Sequence, residues 1–308
     1  MKIPKDFVLT PGGYRHKSLV HELEHGHSLR RNTKGDIEIV EMQTGSVKVL
    51  PKIKEGDVNG LNSFAPDGDN WVAAALYTNS GGIISSFSGT TELQQPSEDA
   101  GQTFFLYFCQ QSYSNPNANS LAWNFMTVLH WGPSAIAQSG PFWYLATWII
   151  FPDGHAVHST PVVLQQADYV RFGGVIRLQL PTYTYLNNAH LYTANGKPVF
   201  NPNFVTSLTQ TIGNTMDLLS ICMEYYQPAG DFSYRNFPNS LITPGYLPFD
   251  YTIGYGSTEL PSSQWIPRVV KSNQVVTGIE ITPNPPNQIV SLYSLTGSVS
   301  FALQQIPA

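Results

Sequence analysis

The sequence predicts an all-β fold, specifically a two-sheet antiparallel β-sandwich of the jelly-roll or concanavalin type. Aromatic residues make up 12% of the chain and charged residues only 12%, about half the charged fraction of an average globular protein. Short apolar runs recur about every ten to fifteen residues, and Gly, Pro, Asn, Ser and Thr fill the intervals between them. Many short strands joined by Gly/Pro turns are typical of sandwiches and jelly rolls.

Composition divides the chain into three parts. Residues 1–55 are rich in histidine, lysine and arginine, and we expect them to form a basic, His-rich N-terminal arm with one hairpin. Residues 56–260 are expected to form the sandwich core. Residues 261–308 are expected to add C-terminal strands that can pack on the same core.

The predicted strands follow the apolar runs in chain order. In the arm, residues 36–42 and 46–50 are predicted to pair across Gln43-Thr44-Gly45. The core strands are expected at 71–77, 83–90, 103–109, 121–131, 142–151, 175–180, 190–193 and 218–226, and later strands at 269–270, 275–281 and 289–301. Residues 204–211 are the candidate for a short helix.

One turn is predicted from its chemistry. The sequence Phe151-Pro152-Asp153-Gly154-His155 combines a proline, which fixes one φ angle, with a glycine, which accepts a positive one. We therefore expect residues 143–150 and 156–163 to form an antiparallel hairpin.

Charge and hydropathy exclude several classes of protein. The formal net charge is −5 and no concentrated Lys/Arg stripe occurs, so no nucleic-acid partner is predicted. No run is apolar enough to predict a membrane span. The first residues lack the apolar core of a secretory signal, and the compartment stays open. Cys109 and Cys222 lie in strand-like runs, where a disulfide across the sandwich and two buried thiols are both compatible with the sequence. No cofactor is predicted, and the oligomeric state is left open.

The segment SLVHELEHGHSL, residues 18–29, contains the pattern H-E-x-x-H, with histidines at His21 and His25. On a helix this pattern places two imidazoles on one face beside a glutamate, as in zinc peptidases. The local pattern argues against a helix, because Leu or His occupies every odd position from 19 to 29. Gly26, directly after His25, would also end a helix after two turns at most.

A strand cannot bring these histidines to one metal ion. In a strand, His21 and His25 share a face but lie about 13 Å apart, and no third ligand motif follows them. The sequence therefore predicts that residues 18–28 are extended or irregular, belong to an exposed arm and bind no metal. A zinc peptidase is the disfavoured alternative.

The region from about residue 70 to residue 226 carries motifs that resemble a known superfamily. The motifs are NWV (70–72), ISSFSGT (84–90), GQTFFLYF (101–108), VLHWGPS (128–134), WYLATW (143–148) and MEYY (223–226). They resemble the glutamic peptidases, meaning the eqolisins and the related neprosin-like proteins. The opening TPGGYRHKSLVH (10–21) also resembles the lead-in of neprosin-like relatives that lack the zinc motif. The resemblance implies two stacked antiparallel sheets with a concave groove that holds an extended peptide.

The resemblance implies a catalytic glutamate, which is carried over to Glu224. In this superfamily a glutamate serves as general base and acid toward a water, and a glutamine amide positions the water and stabilises the oxyanion. Glu224 lies in the middle of an apolar, aromatic run, where burial is expected to raise the pKa of a carboxyl group. The alternative is that Glu224 points outward from an edge strand.

The glutamine has no counterpart at the expected spacing. By position before Trp131-Gly132-Pro133, the matching residue is Met126, whose thioether neither donates a strong hydrogen bond nor orients water. The sequence therefore indicates a degraded catalytic pair. Gln110 and Gln111 follow a different strand.

Aromatic side chains are the candidates for ligand contacts in the groove. They are Tyr107, Trp123, Trp131, Trp143 and Trp148, and packing in the core is the alternative role for each. We therefore expect a glutamic-peptidase-like sandwich that binds an extended polymer, peptide or glycan, without robust catalysis. The alternatives are an active acid glutamic endopeptidase that uses Glu224 and a lectin-like carbohydrate-binding protein.

Overall fold

The computed structural model describes fourteen segments of the chain: residues 5–51, 71–79, 82–92, 103–112, 123–136, 143–164, 169–193, 207–212, 215–226, 246–256, 264–269, 276–284, 287–289 and 292–303. Within them, one 3-10 turn at Lys17–Leu19 is accompanied by twenty-two β-strands. The all-β fold class is therefore as the composition predicts. No helix in these segments is long and apolar enough to cross a membrane.

The strands are numbered along the chain. The amino-terminal strands are β1 (Phe7–Thr10), β2 (Gly13–His16), β3 (Val20–Leu23), β4 (His27–Arg31), β5 (Ile37–Glu41) and β6 (Val47–Leu50). The central strands are β7 (Trp71–Thr78), β8 (Ile84–Glu92), β9 (Thr103–Gln111), β10 (Asn124–Trp131), β11 (Trp143–Ile150), β12 (Ala156–Ser159), β13 (Val162–Leu164), β14 (Tyr169–Gln179), β15 (Thr184–Thr193), β16 (Ser207–Thr211) and β17 (Leu218–Tyr226). The last strands are β18 (Tyr246–Tyr255), β19 (Gln264–Val269), β20 (Val276–Pro283), β21 (Asn287–Ile289) and β22 (Leu292–Leu303).

Two large sheets form the sandwich. The nine-stranded sheet has the order β19-β7-β17-β9-β10-β11-β12-β3, with β13 paired to β11. The eight-stranded sheet has the order β16-β15-β14-β8-β18-β22-β20, with β21 paired to β22. Strands β19 and β20, from the carboxy-terminal part, thus extend different sheets. The strands β4-β5-β6 and β1-β2 form two smaller sheets.

The main core lies between the two large sheets. Side chains alternate across each strand, and the inward-facing residues of β9 meet those of the opposite sheet. The ring of Phe108 lies 6.2 Å from Phe87 on β8 and 5.6 Å from Phe249 on β18, measured between centroids. Hydrogen bonds also cross this core, where the Thr127 hydroxyl donates to the side-chain oxygen of Asn187 at 2.9 Å and the hydroxyls of Tyr77 and Tyr255 are paired.

A second apolar cluster lies on the outer face of the nine-stranded sheet. We call this surface the Glu224 face, defined by Tyr107, Met126, His130, Trp148 and Glu224. The hairpin β1-β2 lies across it, since Leu9 belongs to the buried cluster and Tyr14 packs against it. The sheet is therefore covered on both faces, which explains why its central strands are continuously buried.

Most predicted strands are confirmed, including the hairpins at 37–50 and 143–164. The turn at residues 151–155 has the expected form, with Gly154 at φ +94° and its N–H bonded to the carbonyl oxygen of Phe151 at 3.0 Å. The helix expected at 204–211 is wrong where it can be compared, because Ser207–Thr211 forms strand β16 and pairs with β15. Positions 121–122, 142, 204–206, 270, 275 and 290–291 of the predicted elements lie outside the described residues.

The amino-terminal segment packs on the sandwich, where an exposed arm was expected. Strand β3 pairs in parallel with β12 at one edge of the nine-stranded sheet. Leu23, Leu29, Ile37 and Ile39 are buried in the main core cluster. The apolar members of the alternating pattern are large enough that leaving them in water would be costly, which explains the docking.

Candidate functional site

Glu224 lies in the interior of strand β17, on the Glu224 face, and its side chain is 0% exposed. Strand β17 runs between β7 and β9, in the middle of the sheet. The alternative that Glu224 points outward from an edge strand is therefore wrong. A buried carboxylate is stable only where hydrogen bonds replace its water, so its donors decide what it can do.

The Glu224 carboxylate accepts hydrogen bonds from Tyr107, Tyr226 and Gly12. The Tyr107 hydroxyl donates to Oε1 at 2.7 Å, and the Tyr226 hydroxyl donates to Oε2 at 3.1 Å. The backbone N–H of Gly12 reaches both oxygens, at 3.2 Å and 3.0 Å. Burial, and after it the charges of Cys222 and Glu224, raise the pKa of Tyr107 well above its ordinary value. Tyr107 therefore keeps its proton and remains a donor at any physiological pH.

Gly12 belongs to the turn of the β1-β2 hairpin. The turn needs glycines, because Gly12 and Gly13 have φ angles of +81° and +114°, a region that other residues rarely adopt. The Thr10 hydroxyl donates to the carbonyl oxygen of Gly13 at 2.7 Å and closes the turn. The sequence T-P-G-G thus directs a backbone N–H of the covering hairpin toward Glu224.

The hairpin is tied to the sandwich at further points. The carbonyl oxygen of Leu9 accepts the N–H of Ala135 at 2.8 Å, and the Tyr14 ring meets Tyr226 edge-on at 6.0 Å. Arg15 is 5% exposed and donates to the carbonyl oxygen of Gly154 at 3.2 Å. Burial lowers the pKa of Arg15 to about 10, against the opposing influence of Tyr226 and Glu224. The guanidinium therefore stays charged at neutral pH and compensates the carboxylate.

His130 is the polar residue of β10 that lies in the same cross-strand row as Glu224. Glu224 pairs with Phe105 on β9, and Phe105 pairs with His130. The His130 ring stacks on Phe105 at 5.0 Å and is 0% exposed. Burial lowers the pKa of His130 to about 3, so its ring is neutral. Sequence reasoning missed this residue, although it lies inside the motif VLHWGPS.

Met126 does not lie beside Glu224. It is on the same face of β10, but it pairs with Cys109 and Trp148. It is four positions from His130, which corresponds to about 13 Å along a strand. The structure therefore does not place the two predicted catalytic positions side by side, and His130 is the β10 residue in the row of Glu224.

The five aromatic candidates divide between two environments. Tyr107 and Trp148 lie on the Glu224 face, Trp148 being 0% exposed. Trp131 and Trp143 point between the two sheets, where their rings meet at 5.4 Å, a position incompatible with contact to a ligand in the groove. Trp123 is partly buried against the main core and carries the Arg31 guanidinium 4.6 Å above its ring.

The H-E-x-x-H segment is extended, as its alternation predicts. His21 lies in β3 and His25 in the turn before β4. His21 Nε2 lies 3.1 Å from His155 Nδ1, and His155 Nε2 lies 3.2 Å from the carbonyl oxygen of Pro51. Among the described residues, no three His, Cys, Asp or Glu side chains are arranged to hold a metal ion.

The two cysteines are buried free thiols on the Glu224 face. They lie on adjacent strands, where Cys109 pairs with Ser220 and Cys222 pairs with Tyr107. Burial raises the pKa of Cys222 to about 12 and that of Cys109 well above its ordinary value. Neither thiol is therefore ionised at physiological pH.

Comparison with known proteins finds distant similarity to solved structures. No family model and no curated protein matches the sequence. SCP-B, a member of the eqolisin family of peptidases solved in complex with the tripeptide Ala-Ile-His, is 10% identical, and the match covers 76% of this chain and 98% of that chain with a TM-score of 0.39. The winged bean acidic lectin complexed with methyl-α-D-galactose is 12% identical, and the match covers 93% and 97% with a TM-score of 0.21.

Proposed function

We propose that the Glu224 face binds an extended peptide segment, and that this glutamic-peptidase-like sandwich holds its ligand without robust peptidase activity. The observation that carries the proposal is the pair of hydrogen bonds from the Gly12 N–H to the Glu224 carboxylate. An extended strand pair already lies on this face, and a backbone N–H from its turn donates to the buried carboxylate of Glu224. A face that accepts the chain's own hairpin offers the chemistry that an incoming peptide needs.

The peptide is preferred to a glycan because of what covers the face. The cover is apolar, as Leu9 and Tyr14 show, and its contact with Glu224 is made by a main-chain N–H. Trp148, the one predicted platform tryptophan on this face, packs against His158 at 4.8 Å. Its ring is therefore not presented as a sugar platform.

Catalysis is disfavoured by the occupancy of Glu224. A general base must reach a water, yet this carboxylate is fully buried and receives donors on both oxygens. Two phenols surround it, and Met126 stands elsewhere on the face. Loss of one preorganised oxyanion donor typically costs about two to three orders of magnitude in rate.

The test uses the full chain with the hairpin weakened. Leu9→Asp places a charge in the apolar cluster under the hairpin, and Val49→Asp places the same charge on an exposed strand residue as the matched control. Release of the hairpin is measured by trypsin cleavage after Arg15. Binding is measured with a fluorescent synthetic peptide of residues 5–17.

We expect the peptide to bind Leu9→Asp, and to bind wild type and Val49→Asp at least about tenfold more weakly, because their face is occupied. Adding Glu224→Ala to Leu9→Asp should weaken binding again by about tenfold. If trypsin shows the hairpin released and the peptide still fails to bind, the proposal is wrong. Tighter binding of cellohexaose than of the peptide would favour the glycan alternative.

A further inference from the structure

A cavity lies on the outer face of the eight-stranded sheet, whereas Glu224 belongs to the nine-stranded sheet. It has a volume of about 270 Å³ and is lined from strands β8, β14, β15 and β18. One cross-strand row runs His190, Gly173, Thr90, Asp250. Since glycine has no side chain, this row has a gap at Gly173, with an imidazole on one side and a hydroxyl and a carboxyl on the other.

The wall formed by β14 and β15 carries one guanidinium and one imidazole. Arg177 and His190 both line the cavity, and the cavity surface between them is completed by Val175. Burial, and after it the charge of Arg177, lower the pKa of His190. The guanidinium thus disfavours protonation of the imidazole, and an anion bound beside both groups would offset this effect and raise the pKa of His190. Arginine also offers paired donors that match a carboxylate or phosphate.

The opposite wall offers hydroxyls and one carboxylate. Ser88 and Thr90 on β8 and Thr252 on β18 line it together with Asp250. Hydroxyl groups donate and accept, while an ionised carboxyl accepts. This wall is therefore suited to the hydroxyl groups of a ligand and repels a second anionic group.

The floor of the cavity is main chain held in place by the core. Gly89 and Gly174 line it, and a Cβ added at either would lie 1.8 Å from Phe108 or 2.3 Å from Thr127. The backbone here is thus packed directly on the opposite sheet. The strands that carry the polar side chains are therefore fixed in position, as a small-molecule site requires.

We propose that this cavity binds a small hydroxylated acid of monosaccharide size, with its anionic group at Arg177 and His190 and its hydroxyls at Asp250, Thr90 and Thr252. The volume lies just below the usual range of drug-sized pockets, about 300 to 1,000 Å³, so the ligand is small. A carboxylate and a phosphate could each accept hydrogen bonds from the Arg177 guanidinium. The shared chemistry is one anionic group next to several hydroxyls, as in a uronic acid or a sugar phosphate.

The experiment titrates the full-length protein with D-glucuronate and follows the ring protons of His190 by NMR. Glucose 6-phosphate is the second probe. Glucose is the control without an anionic group, and acetate and inorganic phosphate are the controls without the sugar hydroxyls. We expect saturable binding of an acidic sugar at least about tenfold tighter than any control, with the pKa of His190 rising in the complex. The tighter of the two acidic sugars identifies the anionic group.

Variants separate this site from general charge effects. Arg177→Gln should weaken binding of the acidic sugar by about tenfold, and it should raise the pKa of His190 in the protein without ligand. Arg268→Gln, an exposed arginine on β19 in the other sheet, is the matched control and should leave both unchanged. Asp250→Asn should reduce the preference for glucuronate over acetate.

Equal binding of glucuronate, glucose and acetate would overturn the proposal. So would acidic-sugar binding that Arg177→Gln leaves unchanged. The site shares no residue with the Glu224 face, so its failure would leave the peptide proposal standing.

Discussion

The backbone N–H of Gly12 donates to both carboxylate oxygens of Glu224, at 3.2 Å and 3.0 Å, from a position 212 residues earlier in the chain. The contact joins the buried acid of the candidate site to a hairpin turn whose two positive φ angles favour glycine. Stability of the hairpin and the chemistry of Glu224 are therefore coupled. A change at either one should be measurable at the other.

Glu224→Gln should destabilise the fold and loosen the hairpin. The amide has one acceptor oxygen, so at least one of the donors Gly12, Tyr107 and Tyr226 loses its partner while it remains buried. Hydrogen bonds to a charged group are worth about 1.5–3 kcal/mol each, and we expect a loss of about that size in the free energy of unfolding. Urea unfolding measures the loss, and trypsin cleavage after Arg15 reports on the hairpin.

The matched control is Glu24→Gln, which makes the same change at an exposed turn residue. It should change the free energy of unfolding by less than about 0.5 kcal/mol. Equal effects of the two substitutions would show that the hydrogen bonds to Glu224 contribute nothing to docking of the hairpin.

Wild-type protein should show little or no cleavage of denatured protein at acid pH. Glu224 is fully buried under the hairpin, so a substrate carbonyl cannot reach it. Met126→Gln should leave activity unchanged, because that position lies about 13 Å along β10 from the row of Glu224. Robust acid proteolysis that Glu224→Gln abolishes would contradict this expectation and support the endopeptidase alternative.

Individual strands and turns could be predicted from the sequence because each one has its own local sequence pattern. The turn at Pro152-Asp153-Gly154 specified its hairpin, and the alternation at residues 19–29 specified extended structure. Strand β18 was missed, although Leu247, Phe249 and the following odd positions to 255 alternate with smaller or polar residues and are buried. A signal for it was therefore present in the sequence.

Only part of the candidate site could be predicted from the sequence. The position of Glu224 within an apolar run correctly indicated burial. Its partners Gly12 and Tyr107 are distant in sequence, and their meeting depends on strand order and on docking of the hairpin, which no local pattern encodes. The register of β10 against β9 likewise decides that His130, and not Met126, shares a row with Glu224.

Purified protein should contain no stoichiometric zinc at the H-E-x-x-H segment. His21 is in strand β3 and contacts His155, whereas His25 is exposed in the following turn. The two rings therefore cannot share an ion. Elemental analysis of the protein and of the double variant His21→Ala/His25→Ala should give the same low zinc content, and a one-to-one zinc content lost in the variant would contradict the structure.

Gly89→Ala should destabilise the sandwich. A Cβ at this position would lie 1.8 Å from Cε1 of Phe108, in the middle of the core between the sheets. Overpacking of this kind typically costs about 1–3 kcal/mol. Gly278→Ala is the control, because nothing lies within 4 Å of its added Cβ. It should be neutral or slightly stabilising, and equal denaturation midpoints for the two variants would refute the close approach of Gly89 to Phe108.

Acidification should destabilise the protein, and His21 should account for part of the effect. Burial, and after it the charges of His155, Lys48 and His158, lower the pKa of His21 from 6.5 to about 4. Between these values the unfolded chain binds a proton that the native protein excludes, so stability is present above pH 6.5 and is lost as the pH falls toward 4. Burial lowers the pKa of His130 to about 3 in the same direction.

The measurement is the urea midpoint of wild type, His21→Asn and His25→Asn across pH 7 to pH 4. His21→Asn removes the contact with His155 and is expected to be less stable at pH 7, but its stability should fall less steeply with acid. His25→Asn changes the other histidine of the same motif, which is exposed, and should keep the wild-type slope. The change of the urea midpoint with pH is a separate quantity from the stability at pH 7. If His21→Asn shows the same change with pH as wild type, the His21 ring is not held neutral by its surroundings in the native protein.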